Sequence, residues 1–225
     1  MFDVQRIRTD FPILSRLVNG VPLVYLDNAA TSHKPQAVID VLVEYYSQHN
    51  ANVHRGVHTL GDESTQLYHE SRAQIATFFG AKSAELVVVR NTTEAVNLVA
   101  ATWARQHISS GDIILSSELE HHSNLSPWQR IAKQAGAELK VLEVNESGSI
   151  DLSDLESYLA TGKVKLVCLA HVSNTLGSVL PLAEVITLAK KHHARIFIDG
   201  AQAASHLPVQ FDAWGVDFYA VSAHK

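Results

Sequence analysis

Only one cysteine, Cys168, occurs in the 225 residues. An internal disulfide framework is therefore excluded, and a reducing, cytoplasmic setting is expected. Surplus positive charge is also lacking. Eighteen Lys and Arg stand against 23 Asp and Glu, a formal net charge of −5, so no nucleic-acid partner is expected. The longest apolar stretches, such as residues 86–89 and 164–170, are far too short to cross a bilayer, and no membrane association is expected. The opening MFDVQRIRTDF has no apolar core segment, so no secretory signal is expected either. No low-complexity tract, internal repeat or obvious linker breaks the chain. What is present, 46% hydrophobic and 18% charged residues, suits an ordinary globular domain with a sizeable core.

Periodicity supplies the elements. Residues 21–26 form a short apolar run that reads as a strand leading into Asp27 and Asn28. Val38, Val41, Leu42, Tyr45 and Tyr46 share one helical face after Pro35, which suits a first turn. Residues 62–79 read as a second helix, with Gly80 placed to end it. From there strands are expected at 85–90, 112–116, 138–144, 165–171, 195–199 and 217–222. Helices are expected at 93–107, 127–135 (closed by Gly136), 152–159 and 182–192. Apolar strands alternating with amphipathic helices predict an α/β fold with a mostly parallel sheet and helices on both faces.

In such sheets ligands bind beyond the carboxyl ends of the strands. Polar groups recur at those predicted ends: Asn91-Thr92-Thr93, Glu120-His121-His122, Ser173-Asn174, Asp199-Gly-Ala-Gln202 and Ser222-Ala-His-Lys225. Asn91 with Glu94 three residues later is a capping pattern, and free N–H groups beside two hydroxyls would also seat a phosphate. Asp199 follows Ile196-Phe-Ile198, so its carboxylate needs a partner: a structural Arg, a helix cap or a protonated ring nitrogen. Metal hydrolysis is the competing chemistry for these His and carboxylate residues. Adjacent histidines point in different directions, however, and no HExxH or comparable spacing occurs, so no metal is expected. His192-His193 closes a helix, where the dipole favours cations.

Taken in order, Tyr25-Leu-Asp-Asn-Ala-Ala-Thr31, Asn52-Val-His-Arg-Gly-Val-His58, Thr92-Thr-Glu94, Glu120-His-His122, Ser173-Asn174, Asp199-Gly-Ala-Gln202 and Ser222-Ala-His-Lys225 resemble fold-type I pyridoxal 5'-phosphate (PLP) enzymes of the class V aminotransferase group. NVHRGVH and EHHSN are similar, more narrowly, to SufS-like (group II) cysteine desulfurases. The resemblance implies that Lys225 carries PLP as a Schiff base and moves a proton, that Asp199 pairs with the pyridinium nitrogen, and that His122 stacks on the ring and assists proton transfer. It further implies that Gln202 bonds the ring hydroxyl and that Thr92, Thr93, Ser222 and His224 hold the phosphate. Asn28, Ala29, Ala30, His54 and Asn174 would line the substrate side, with Arg55 near the mouth or a dimer interface. The implied reaction converts L-cysteine to L-alanine and an enzyme persulfide for iron–sulfur cluster assembly. The implied partners are a second copy of the chain and a sulfur-acceptor protein.

Two motif positions differ from the common family pattern: Asn91 stands where Gly is usual, and HHSN replaces HHAN. The family also continues beyond the lysine, through a small domain, a nucleophilic cysteine and a substrate-carboxylate arginine. The expectation is therefore an N-terminal portion: residues 1–20 pack with the small domain, and residues 21–225 form an incomplete PLP-binding domain. Cys168, in a predicted apolar strand, reads as a buried hydrophobe and not as the nucleophile. Selenocysteine lyase (taking L-selenocysteine) and other class V aminotransferases or lyases share these motifs and stay open. An inactive scaffold is the remaining class.

Overall fold

The computed structural model describes residues 2–225 and divides them into two compact units. Residues 2–77 with His224 and Lys225 form the first, and Phe78–Ala223 the second.

In the first unit α1 (Val4–Thr9) is capped by Asp3, whose carboxylate accepts the Arg6 amide. No apolar period announces this helix in the sequence. The strand expected at 21–26 is shorter: β1 (Leu17–Val18) and β2 (Val21–Pro22) make a two-residue antiparallel hairpin, the Leu23 amide still donates to the Arg16 carbonyl at 3.0 Å, and residues 24–26 lie outside any strand. Next come α2 (Gln36–Glu44), extended by a π-helical turn over Tyr45–His49, and α3 (Thr59–Phe78), both where periodicity puts helices.

In the second unit α4 (Thr92–Val99) runs through a π-helical stretch, Ala100–Ala104, into α5 (Arg105–His107). Strands and helices then alternate: β3 (Ile113–Ser117), α6 (Ser126–Ala135), β4 (Glu138–Leu142), α7 (Leu152–Ala160), β5 (Val164–Ala170), α8 (Leu182–Lys191), β6 (Arg195–Asp199), the short α9 (Phe211–Trp214) and β7 (Phe218–Ala220). Gly136 closes α6 in the left-handed region (φ 71°), a conformation other residues adopt only at a cost. The sheet order is β4-β3-β5-β6-β7, and all neighbours are parallel.

Both faces of this sheet are covered, so its strands are apolar throughout. Alternate residues of β5 and β6 serve opposite faces. Val167, Leu169, Ile196 and Ile198 meet Leu155 and Leu159 of α7 and Val185 and Ala189 of α8. Leu166, Cys168 and Phe197 meet Val96 of α4 and Trp128 and Ile131 of α6. Each fully buried aliphatic side chain contributes roughly 1.5–3 kcal/mol. The strand expected at 85–90 does not form. A one-turn 3-10 helix, Ser83–Glu85, is followed by backbone outside any ladder, with Val87 and Val88 exposed. An apolar run becomes a strand only beside a partner edge, and no described segment pairs with it. Among the described residues, no helix is long and apolar enough to cross a membrane.

Candidate cofactor site at the carboxyl edge of the sheet

Because the five strands are parallel, their carboxyl ends share one edge. Register fixes a row along it: Ala170 of β5 pairs with Asp199 of β6, and Asp199 with Ala220 of β7. Asp199 is buried, and its Oδ1 accepts the Ala201 amide at 2.9 Å. The backbone around it is tightly held. The Asp199 carbonyl accepts the His171 amide at 2.9 Å, and the Gly200 amide donates to the Ala220 carbonyl at 2.7 Å. Gly200 lies against the Tyr219 ring so closely that a β-carbon there would collide with it. Tyr219 Oη meets His171 Nδ1 at 2.8 Å, with Trp214 edge-on to the imidazole. Burial lowers the His171 pKa, favouring a neutral ring, and raises that of Tyr219, to which the Asp199 charge adds. Gln202, also buried, follows on the loop after β6.

The β7 end meets the start of α4. Thr92 and Ser222 hydroxyls lie 2.8 Å apart, and Thr92 is buried. Asn91 caps this helix as its sequence predicts, its Oδ1 accepting the Glu94 amide at 2.9 Å. Glu94 in turn accepts the Arg90 amide and pairs with the Arg90 guanidinium, whose hydrogen bond holds its carboxyl below the usual range. The first amides of α4, at Thr92 and Thr93, lie where helix geometry gives no carbonyl partner. Two hydroxyls and two such amides form a donor set suited to a phosphate. Thr93, His122 and Asn174 are exposed, His122 on the turn His122–Asn124 beyond β3 and Asn174 beyond β5.

The remaining predicted residues belong to the first unit. Asn28, Ala29 and Ala30 are exposed in a turn closed by the Ala30 amide on the Asp27 carbonyl at 3.1 Å. His54 has a left-handed backbone (φ 66°), and its amide donates to Thr65 Oγ1. The His224 carbonyl accepts from the Ser32 amide at 2.9 Å and from Thr31 Oγ1 at 3.0 Å, and its Nδ1 lies 3.2 Å from that same hydroxyl. Lys225 follows directly and is half-buried.

Sequence reasoning quoted Glu120 within its motif and gave it no role. Its carboxylate accepts hydrogen bonds from Ser117, Ala170 and Asn124. The signal lies in the i+4 spacing of Glu120, Asn124 and Trp128. Burial pushes Glu120 up to about 7; its three hydrogen bonds oppose the rise, and the Asp199 charge adds to it. Between its ordinary value of 4.5 and about 7 the folded state holds a proton that the unfolded chain releases. The stability this group contributes is therefore full below that window and lost as pH rises through it. Urea unfolding at about pH 5 and about pH 8 tests the sign: the wild type should lose more stability toward alkaline pH than Glu120→Gln. Parallel losses in the two proteins would contradict it.

The donor set fits an anionic, ring-nitrogen cofactor: a buried carboxylate on one strand end, and hydroxyls beside a helix N-terminus at the next. Residues 24–225 match the family model described as aminotransferase class-V. This chain belongs to that family. Within it, the chain is 48% identical over 225 residues to the cysteine desulfurase of Shigella sonnei, covering 100% of this chain and 55% of that protein. The apo structure of the Thermococcus onnurineus cysteine desulfurase superposes with a TM-score of 0.92 at 40% identity, covering 100% of this chain and 54% of that one. A C-DES mutant with glycine covalently linked to its PLP cofactor superposes with a TM-score of 0.79 at 26% identity, covering 96% of this chain and 55% of that one. The chain thus spans about half the length of these relatives.

Proposed function

We propose that this chain is the cofactor-binding portion of a PLP-dependent, SufS-like cysteine desulfurase that converts L-cysteine to L-alanine. The observation that carries the reading is the single edge where Asp199 ends β6 and the Thr92–Ser222 hydroxyl pair joins α4 to the end of β7. When bound, PLP supplies an electron sink for the substrate Cα. Lys225 holds it through its amine and later carries a proton at Cα. Asp199 keeps the ring nitrogen protonated, a charge-assisted contact worth roughly 1.5–3 kcal/mol. Gln202 donates to the ring oxygen, and Thr92, Thr93, Ser222 and His224 bind the phosphate. His122, an exposed imidazole on the same edge, covers the ring and assists proton transfer. Asn28, Ala29, Ala30, His54 and Asn174 bound the substrate side.

The substrate sulfur passes to a cysteine as a persulfide, then to an acceptor protein for iron–sulfur assembly, in a cytoplasmic homodimer. Cys168 is not that cysteine. It is fully buried in β5, and burial drives its thiol well above the ordinary range, with the Glu120 charge adding to the effect. A sulfur acceptor must be accessible and partly thiolate. Alanine and sulfide formed from L-cysteine test the reading. In the PLP-loaded full-length enzyme, of which this chain is proposed to be the cofactor-binding portion, Cys168→Ser should keep alanine formation within about twofold of wild type. Abolished turnover in a folded variant would make Cys168 the acceptor.

A further inference from the structure

The two oxygens of Glu120 are occupied by donors from three places. Oε1 accepts the Ser117 hydroxyl at 2.7 Å and the Ala170 amide at 2.9 Å, and Oε2 accepts the Asn124 side-chain amide at 2.6 Å. The orientation of Asn124 is fixed from its other side. Its Oδ1 accepts the Trp128 indole N–H at 2.9 Å, and an indole can only donate. Trp128 is fully buried, edge-on to Phe197, and Asn124 is fully buried too. The chain of hydrogen bonds therefore has one polarity, from Trp128 through Asn124, and must end on a group that accepts at both oxygens. His122 sits in the chain between the two linked residues, and Ala170 is the register partner of Asp199.

We propose that Glu120 is a positioning residue: with Asn124 and Trp128 it straps the turn that carries His122 to the end of β5, beside Asp199, and so sets where His122 meets the cofactor. The ligand in this statement rests on the PLP reading above; the strap itself rests on the distances. Glutamine at position 120 cannot complete the chain. Its NH2 group would face the Asn124 NH2 or, with the glutamine turned over, the Ala170 N–H, and turning Asn124 over would instead face the Asn124 NH2 to the indole N–H. Either way one buried donor is left unmet, a loss that propagates through a shared network. Adding Asn124→Asp reverses the polarity. The new carboxylate accepts from both Trp128 and the glutamine, with the same number of hydrogen bonds and the same net charge.

The test compares PLP-loaded wild type, Glu120→Gln and Glu120→Gln/Asn124→Asp at about pH 8, above the Glu120 midpoint. It reads the visible band of lysine-bound cofactor, the PLP dissociation constant, and the tryptophan emission of the cofactor-free protein, to which Trp128 contributes with Trp103 and Trp214. Glu120→Gln should shift the band and the emission and weaken PLP roughly tenfold, and the double variant should return all three toward wild type. A double variant no better than the single, in folding or in affinity, overturns the proposal. So does a band that ignores both changes. A wild type that forms no lysine-bound band overturns the PLP reading instead, which separates the two failures.

Discussion

In the full-length enzyme, Lys225→Ala should abolish both the visible band of protein-bound PLP and turnover, with a loss of roughly 10⁴-fold or more. On the proposed reading attachment needs an amine, and in Ser222-Ala-His-Lys225 only Lys225 carries one. Ser222 is tied to Thr92 through their hydroxyls, and the His224 carbonyl is tied to Thr31 and Ser32. Lys225 is half-buried, so its removal opens little core and should leave stability near wild type. Loss of the band with an unchanged unfolding midpoint is the expected pair of results. A variant that keeps the band would place the attachment elsewhere.

Asp199→Asn should retain much of the PLP yet lower alanine formation by roughly 10²–10³-fold, the scale on which removal of a single electrostatic contact slows an enzyme. The asymmetry follows from division of labour. On the proposed reading Thr92, Thr93 and Ser222 would hold the phosphate and supply binding, while the carboxylate of Asp199 would govern the ring nitrogen. Asparagine is isosteric and can still accept the Ala201 amide, so the loop should survive the change. Equilibrium dialysis for PLP, run beside an alanine assay, separates the two effects. Near-normal turnover would remove Asp199 from the ring nitrogen.

The sheet was legible because its strands are buried on both faces. The apolar run expected at 165–171 is β5 within one residue at each end, and the strand expected at 195–199 coincides with β6. Helix ends were legible where capping chemistry marks them, as at Asn91 and Gly136. Apolarity misled where no partner edge exists, at 85–90, and where pairing stops after two residues, at 21–26. The short helices α1 and α9 carry too few turns to show a period. At the site, the motif residues could be located but their contacts could not. The pairing of Thr92 with Ser222 joins residues 130 positions apart. Glu120 escaped notice for the same reason: its motif looks like loop chemistry until folding turns the carboxylate under β5 against the Ala170 amide.

Attachment of the cofactor to Lys225 is the claim on which the rest of the chemistry depends, and borohydride trapping followed by peptide mapping tests it most directly. Reduction of the PLP-loaded enzyme should fix a pyridoxyl group on one peptide, the one containing Ser222-Ala-His-Lys225, with the label on Lys225. A label on Lys34, Lys140 or any other lysine, or no label under conditions where the visible band is present, would contradict the account.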